Sequence, residues 1–263
     1  MNAGVAYFHE LDGDIYRGQG RFKEALQSYE RATTLRSNFP EVYNNQAEIF
    51  IALGDHHEAI KYYKKMLAND PMQLHAYLNI AEQYVELREY AVALNSLADY
   101  QRQKIAFNEQ PEPLYYKIRG LIFIRQKRYD EAVSDLKNLN KLQPDDLDGL
   151  ALLGFCYYAI DKFEFGLEYF NRLIRLDNKN GKWYLYRGIY FFKKNDLNDA
   201  EGQFRFALDL DPSLYTAHYY LGKIYKERGE LDSALEELRL YRQYMPATVG
   251  EETGDPVPAI LIE

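Results

Sequence analysis

His56, His57 and Glu58 stand in succession, and a metal site is the first chemistry such a run suggests. On a helix, adjacent residues point about 100° apart, so the three cannot converge on one ion. His9, His56 and His218 fall where a ring would pack against a neighbouring helix, and His75 has no ligand-type residue at helical spacing. The lone cysteine, Cys156, sits in Gly154-Phe155-Cys156-Tyr157 and reads as a small buried hydrophobe. A single cysteine excludes an internal disulfide and any multi-cysteine metal site. Gly18-Gln19-Gly20 ends a helix instead of following a strand, which makes it a turn and not a nucleotide loop. The acidic run Asp145-Asp146-Leu147-Asp148 opens a helix, where carboxylates cap the first amides and complement the dipole. The other carboxylates are scattered, with no pair marked as acid and base. No catalytic residue, metal or cofactor is expected, and the chain does not read as an enzyme.

The binding surfaces that composition allows are also limited. A net charge of −8 argues against nucleic acid and anionic membranes as partners. No apolar run approaches the roughly 18 residues of a membrane span, and no leader pattern opens the chain. A soluble, cytoplasmic protein is expected. Because the helical pattern begins by about residue 6, a piece cut from a longer or exported protein fits equally, and in such a piece the lack of a leader says nothing of location. An apolar fraction of 47%, with 25 tyrosines and 14 phenylalanines, suits helix seams in which rings are buried and hydroxyls reach the edge.

The elements that carry these residues repeat. Ala25, Ala59 and Ala93 stand thirty-four residues apart; after a longer step to Ala132 the spacing resumes at Gly166, Ala200 and Ala234. A second small residue keeps the same register at Gly13, Ala47, Ala81, Gly120, Gly154, Gly188 and Gly222. Three places after each comes an aromatic: Tyr16, Phe50, Tyr84, Phe123, Tyr157, Phe191 and Tyr225. Apolar periodicity near 3.6 on both sides of a polar break predicts two short amphipathic helices per unit. Small residues on facing stripes let the pair approach to roughly 8–9 Å. The break carries Gly20, Gly54, Gly229 or Asn195, which suit a left-handed helix end, whereas Arg88, Lys127 and Asp161 at the same place imply strain. Prolines at 71, 144, 212 and 246 stop second helices.

This pattern resembles the tetratricopeptide repeat family over about residues 6–248, most plainly from Tyr43 to Pro71 and from His218 to Leu238. The resemblance implies an all-α, right-handed α-α superhelix of seven helix-turn-helix repeats, with first helices lining a concave groove. The units are 6–39, 40–73, 74–107, 113–146, 147–180, 181–214 and 215–248, one solenoid over 1–248 with an extended tail at 249–263. Five extra residues separate the third unit from the fourth, and the helix before them should run on to about Ala106.

The family likeness places a second stripe of each first helix on the groove wall. Its early members are polar, with Glu10, Asp14 and Arg17 in the first unit and Asn44, Glu48 and Ile51 in the second. Later members turn apolar: Leu121 and Ile124, then Phe155 and Tyr158, then Leu185, Ile189 and Phe192, and finally Tyr219 beside Lys223 and Lys226. Tyr186 and Tyr220 flank the stripe. Two readings stay open, packing between repeats or a wall that binds a peptide or protein segment. The expected function is a protein-interaction scaffold or adaptor, and the alternative is self-assembly as a homo-oligomer through end faces and tail. The apolar run 257–262 could also occupy the groove of its own chain or a neighbour's.

Overall fold

The computed structural model describes residues 2–245, and the tail expected at 249–263 lies outside them. Contacts divide the chain into two compact units, Met1–Ile122 and Phe123–Glu263. The first holds α1 (Asn2–Gly18), α2 (Phe22–Leu35), α3 (Pro40–Ala52), α4 (His56–Asn69), α5 (His75–Glu86), α6 (Tyr90–Ala106) and most of α7 (Pro113–Arg125). The second holds α8 (Tyr129–Leu142), α9 (Leu147–Ala159), α10 (Phe163–Leu176), α11 (Gly181–Lys193), α12 (Leu197–Leu210), α13 (Tyr215–Arg228) and α14 (Leu231–Tyr244). Among the described residues there is no strand. Within each unit consecutive helices pack on one another.

One turn folds every helix pair. At all seven breaks between first and second helix a residue takes positive φ: Gly20, Gly54 and Gly229 at 72–80°, and Arg88, Lys127, Asp161 and Asn195 at 56–61°. The next amide then reaches back to the carbonyl of the repeat aromatic, as in Asp55 N to Phe50 O at 2.8 Å, Arg128 N to Phe123 O at 2.8 Å and Asp196 N to Phe191 O at 2.9 Å. This is the six-to-one bond of the Schellman helix end. A side chain at Gly54 would meet nothing within 4 Å, so glycine is there for its backbone alone.

Between the two helices, size is matched. The second-helix alanines Ala25, Ala59, Ala93, Ala132 and Ala200 are fully buried. A Cβ on Gly188 would stand 2.6 Å from the Phe204 ring, so the glycine leaves the space that the phenylalanine fills. Ala81 faces the smaller Leu97, and both are buried. Helix starts are capped where the sequence permits: Asp146 accepts from Gly149 N at 2.7 Å, and Asp55 from Glu58 N at 3.1 Å.

α6 runs on to Ala106 as its unbroken apolar period requires, and the extra loop is then stapled back. Tyr100 Oη accepts from Glu112 N at 3.1 Å, while Lys104 Nζ reaches Glu109 at 2.9 Å and Glu112 at 3.0 Å. Those carboxylates raise the Lys104 pKa above the ordinary lysine range.

Arg88→Gly and Lys127→Gly are each expected to stabilise the protein by about 0.5–1 kcal/mol, since they relieve a left-handed Cβ, whereas Gly54→Ala costs about 1 kcal/mol. Urea unfolding of the three variants checks this, and an unchanged midpoint for all three contradicts it.

Candidate functional site

The isolated reactive groups have structural surroundings. His56 Nδ1 lies 2.9 Å from Gln83 Oε1, and His218 pairs with Glu237 at 2.6 Å while stacking on Tyr244. His75 meets a carboxylate that helical spacing did not supply, Glu112 at 3.4 Å. Among the described residues no three His, Cys, Asp or Glu side chains come together as a metal site. Cys156 is fully buried, and desolvation pushes its thiol up to about 12.

In the first unit the groove stripe is polar at its start, and two of its members, Arg17 and Asp14, are paired within the chain. Arg17 pairs with Glu48, which also accepts from Asn44 Nδ2 at 2.8 Å. Asp14 accepts from Tyr29 Oη at 2.6 Å and from Asn45 Nδ2 at 3.0 Å. The bond and burial together raise the Tyr29 pKa above the ordinary phenol range. A shallow cavity of about 360 Å³ touches this network through Asp14, Arg17 and Glu48. Leu121, also in this unit, is half-buried.

The second unit differs in both respects. Of its expected wall residues, Ile124, Phe155, Leu185, Tyr186, Ile189 and Tyr220 are all at most 5% exposed. Phe155 meets Tyr129 edge-on at 5.8 Å, Tyr186 lies 6.0 Å from Phe170, and Tyr220 stacks on Phe204 at 5.3 Å. These rings join successive helices. Tyr158, Phe192 and Tyr219 remain half-buried and keep ring surface open to contact. Burial therefore narrows the accessible wall to these three in the second unit.

What gives that wall its chemistry is a lysine. The Lys223 ammonium lies 5.1 Å from the Phe192 ring centre, 5.3 Å from Tyr219 and 5.7 Å from Tyr220. Lys223 is half-buried and no described carboxylate pairs with it. Lys193 stands 5.9 Å from the Tyr158 ring, and Lys193 and Lys226 are exposed, again without a described carboxylate. Lys223 and Lys226 sit on the same stripe as the apolar wall, so register alone could have found them; that no described carboxylate pairs with them could not be read. Arg187 is a further half-buried cation held by neutral groups, with Asn171 Oδ1 and Gln203 Oε1 each at 2.9 Å. Burial lowers its pKa.

Paired helices and seven left-handed turns in register define an α-α helical repeat protein. Family models agree: "TPR repeat" matches 13–53, and "Tetratricopeptide repeat" matches 40–72, 78–146 and 185–247. The chain belongs to the tetratricopeptide repeat family. It is 24% identical over 225 residues to BBSome complex member BBS4 of Bos taurus, covering 86% of this chain and 42% of the relative. It is 23% identical over 234 residues to TPR repeat-containing protein YpiA of Bacillus subtilis, covering 89% and 54%. The chain thus spans about half the length of these curated relatives. A tetratricopeptide repeat protein from Parabacteroides merdae shares the fold, with a TM-score of 0.70 at 16% identity over 98% of this chain and 97% of the other. Among the described residues no helix is long and apolar enough to cross a membrane.

Native Cys156 is expected to react with a thiol reagent at pH 8 at least a hundredfold more slowly than in the urea-unfolded chain. A thiol pushed up to about 12 by burial holds very little thiolate at that pH. Equal rates would contradict the burial.

Proposed function

We propose that the chain is a non-enzymatic interaction scaffold whose second unit binds an extended protein segment bearing carboxylates beside apolar side chains. The apolar groups lie against Tyr158, Phe192 and Tyr219, and the carboxylates meet Lys193, Lys223 and Lys226. Leu121, in the first unit, is half-buried on the same stripe. The buried wall residues Ile124, Phe155, Leu185, Tyr186, Ile189 and Tyr220 hold the helices that present the open rings.

The observation that carries this reading is Lys223. An ammonium over three rings, with no carboxylate partner among the described residues, is partly desolvated and keeps hydrogen-bonding capacity to spare. A partner's carboxylate supplies the missing charge in a site walled by aromatic surface, where the pair is screened less than on an open face. The first unit offers the contrast, since its Arg17 and Asp14 are already engaged. The similarity to BBS4, whose name places it in a complex, fits a scaffold.

A displayed random peptide library, selected on the intact chain, tests the reading. Enriched peptides should carry Asp or Glu within a few residues of an aromatic or large aliphatic residue. Lys223→Gln and Phe192→Ala should each weaken a selected peptide by about tenfold or more, and binding should fall as salt rises. Peptides that lack acidic residues, or that bind Lys223→Gln as tightly as the wild type, would overturn it.

A further inference from the structure

One seam of the second unit has an anion built into it. Glu201, one place after the second-helix alanine, accepts from Arg205 Nε at 2.8 Å and from the Tyr225 hydroxyl at 3.0 Å. Arg205 also donates to that hydroxyl at 2.6 Å, so carboxylate, cation and phenol form a closed triangle between α12 and α13.

The same three places in α4 and α5 hold Ile60, Lys64 and Tyr84. Lys64 Nζ donates to the Tyr84 hydroxyl at 3.0 Å, which keeps the cation and the phenol together. The anion is missing, because Ile60 stands where Glu201 does. Among the described residues no carboxylate pairs with Lys64, and no group accepts the Tyr84 hydroxyl proton.

Beside this pair lies a cavity of about 450 Å³, lined also by His57, Lys61 and Lys65 of α4. Spacings of four, seven and eight residues from His57 place the three lysines on its face of the helix. Lys61 is paired with Glu58 at 2.9 Å. Lys65 lies 4.5 Å from the Tyr62 ring centre and, like His57, meets no described carboxylate. The sister helices do not carry this set. The place of His57 is Asp130 in α8 and Glu164 in α10. Lys64 and Lys65 give way to Glu30 and Arg31 in α2 and to Ala98 and Asp99 in α6. The repeat itself therefore requires neither His57 nor Lys65. The positive charge also stops within one helix, whereas a nucleic-acid strand needs a continuous basic track.

We propose that this cavity binds a phosphorylated side chain of a partner protein. The phosphate oxygens take the place that the Glu201 carboxylate fills in the α12 seam, accepting from Tyr84 Oη, Lys64 and Lys65. A phosphate monoester brings nearly two negative charges and three acceptor oxygens, which suit this donor set better than a single carboxylate. Ile60 and the Tyr84 ring lie against the carbon atoms that carry it. Lys61, Lys64 and Lys65 are exposed, so the cavity grips its ligand from one side. That favours a side chain presented by a protein over a small molecule, which needs enclosing. The site is separate from the lysine-bearing stripe of the second unit.

The probes are degenerate peptide libraries with one fixed phosphoserine or phosphotyrosine, each beside its unphosphorylated counterpart, passed over the intact chain. At least one phosphorylated library should be retained, and phosphatase treatment should release it. Lys64→Gln and Lys65→Gln, both at exposed positions, should each weaken a selected peptide by about tenfold or more, with the helical circular dichroism unchanged. Ile60→Glu, which restores the carboxylate of the α12 seam, should abolish binding; because Ile60 is buried, Lys65→Gln decides the matter if that variant does not fold. Lys223→Gln should bind the peptide as the wild type does, which separates this cavity from the stripe of the second unit. The proposal is overturned if neither phosphorylated library is retained above its counterpart, or if Lys65→Gln binds the selected peptide undiminished. Retention on vesicles bearing phosphoinositides, with no phosphopeptide retained, would equally overturn it in favour of a membrane.

Discussion

The structure depends on one backbone constraint, the left-handed residue that lets each first helix end on a six-to-one bond to its own aromatic. That bond fixes how the chain leaves the first helix, and so which face of the second helix turns inward. Only then do the size rules follow, Gly188 yielding to the Phe204 ring and Ala81 to Leu97. The turn is kept even where the side chain opposes it. Arg88, Lys127 and Asp161 hold φ near 60° at a cost of about 1 kcal/mol each, which the packing of two helices outweighs.

A scaffold of this kind uses up a defined set of positions and leaves the others free. In the first unit part of the free stripe is paired within the chain: Arg17 with Glu48, Asp14 with Tyr29 and Asn45. In the second unit Lys223 stands over rings of the stripe, Lys193 lies near the Tyr158 ring and Lys226 follows on the stripe, with no described carboxylate paired to any of them. The distinction lies in charge pairing more than in hydrophobicity, since most of the apolar wall is consumed in joining helices. Recognition in the proposed site thus comes from cations standing on rings that the repeat seams already hold rigid.

The register was legible in the sequence because each scaffold position has a size requirement that only a few residue types meet. Gly188, Phe191, Ala200 and Phe204 declared themselves by spacing, and even the strained turns at Arg88 and Lys127 could be placed. The wall was less legible. Leu185, Ile189 and Phe192 share one stripe, yet the first two are buried and the third is half-open. How far a neighbouring repeat covers a stripe depends on side chains from another helix, such as Tyr220 against Phe192 at 5.1 Å. Helical spacing alone sets Tyr219 and Tyr220 beside Lys223, but the Phe192 ring and the want of a described carboxylate rest on residues distant in sequence. The tail expected at 249–263 lies outside the described residues.

Amide hydrogen exchange of the intact chain, with and without a saturating selected peptide, measures most directly whether the second unit's stripe is the binding surface. Slowed exchange should appear in α11 and α13, around Phe192 and from Tyr219 to Lys226, while α1, α3 and α5 stay unchanged. Protection centred on the second helices α10, α12 and α14, or on the first unit, would contradict a site built on Lys223 and its rings.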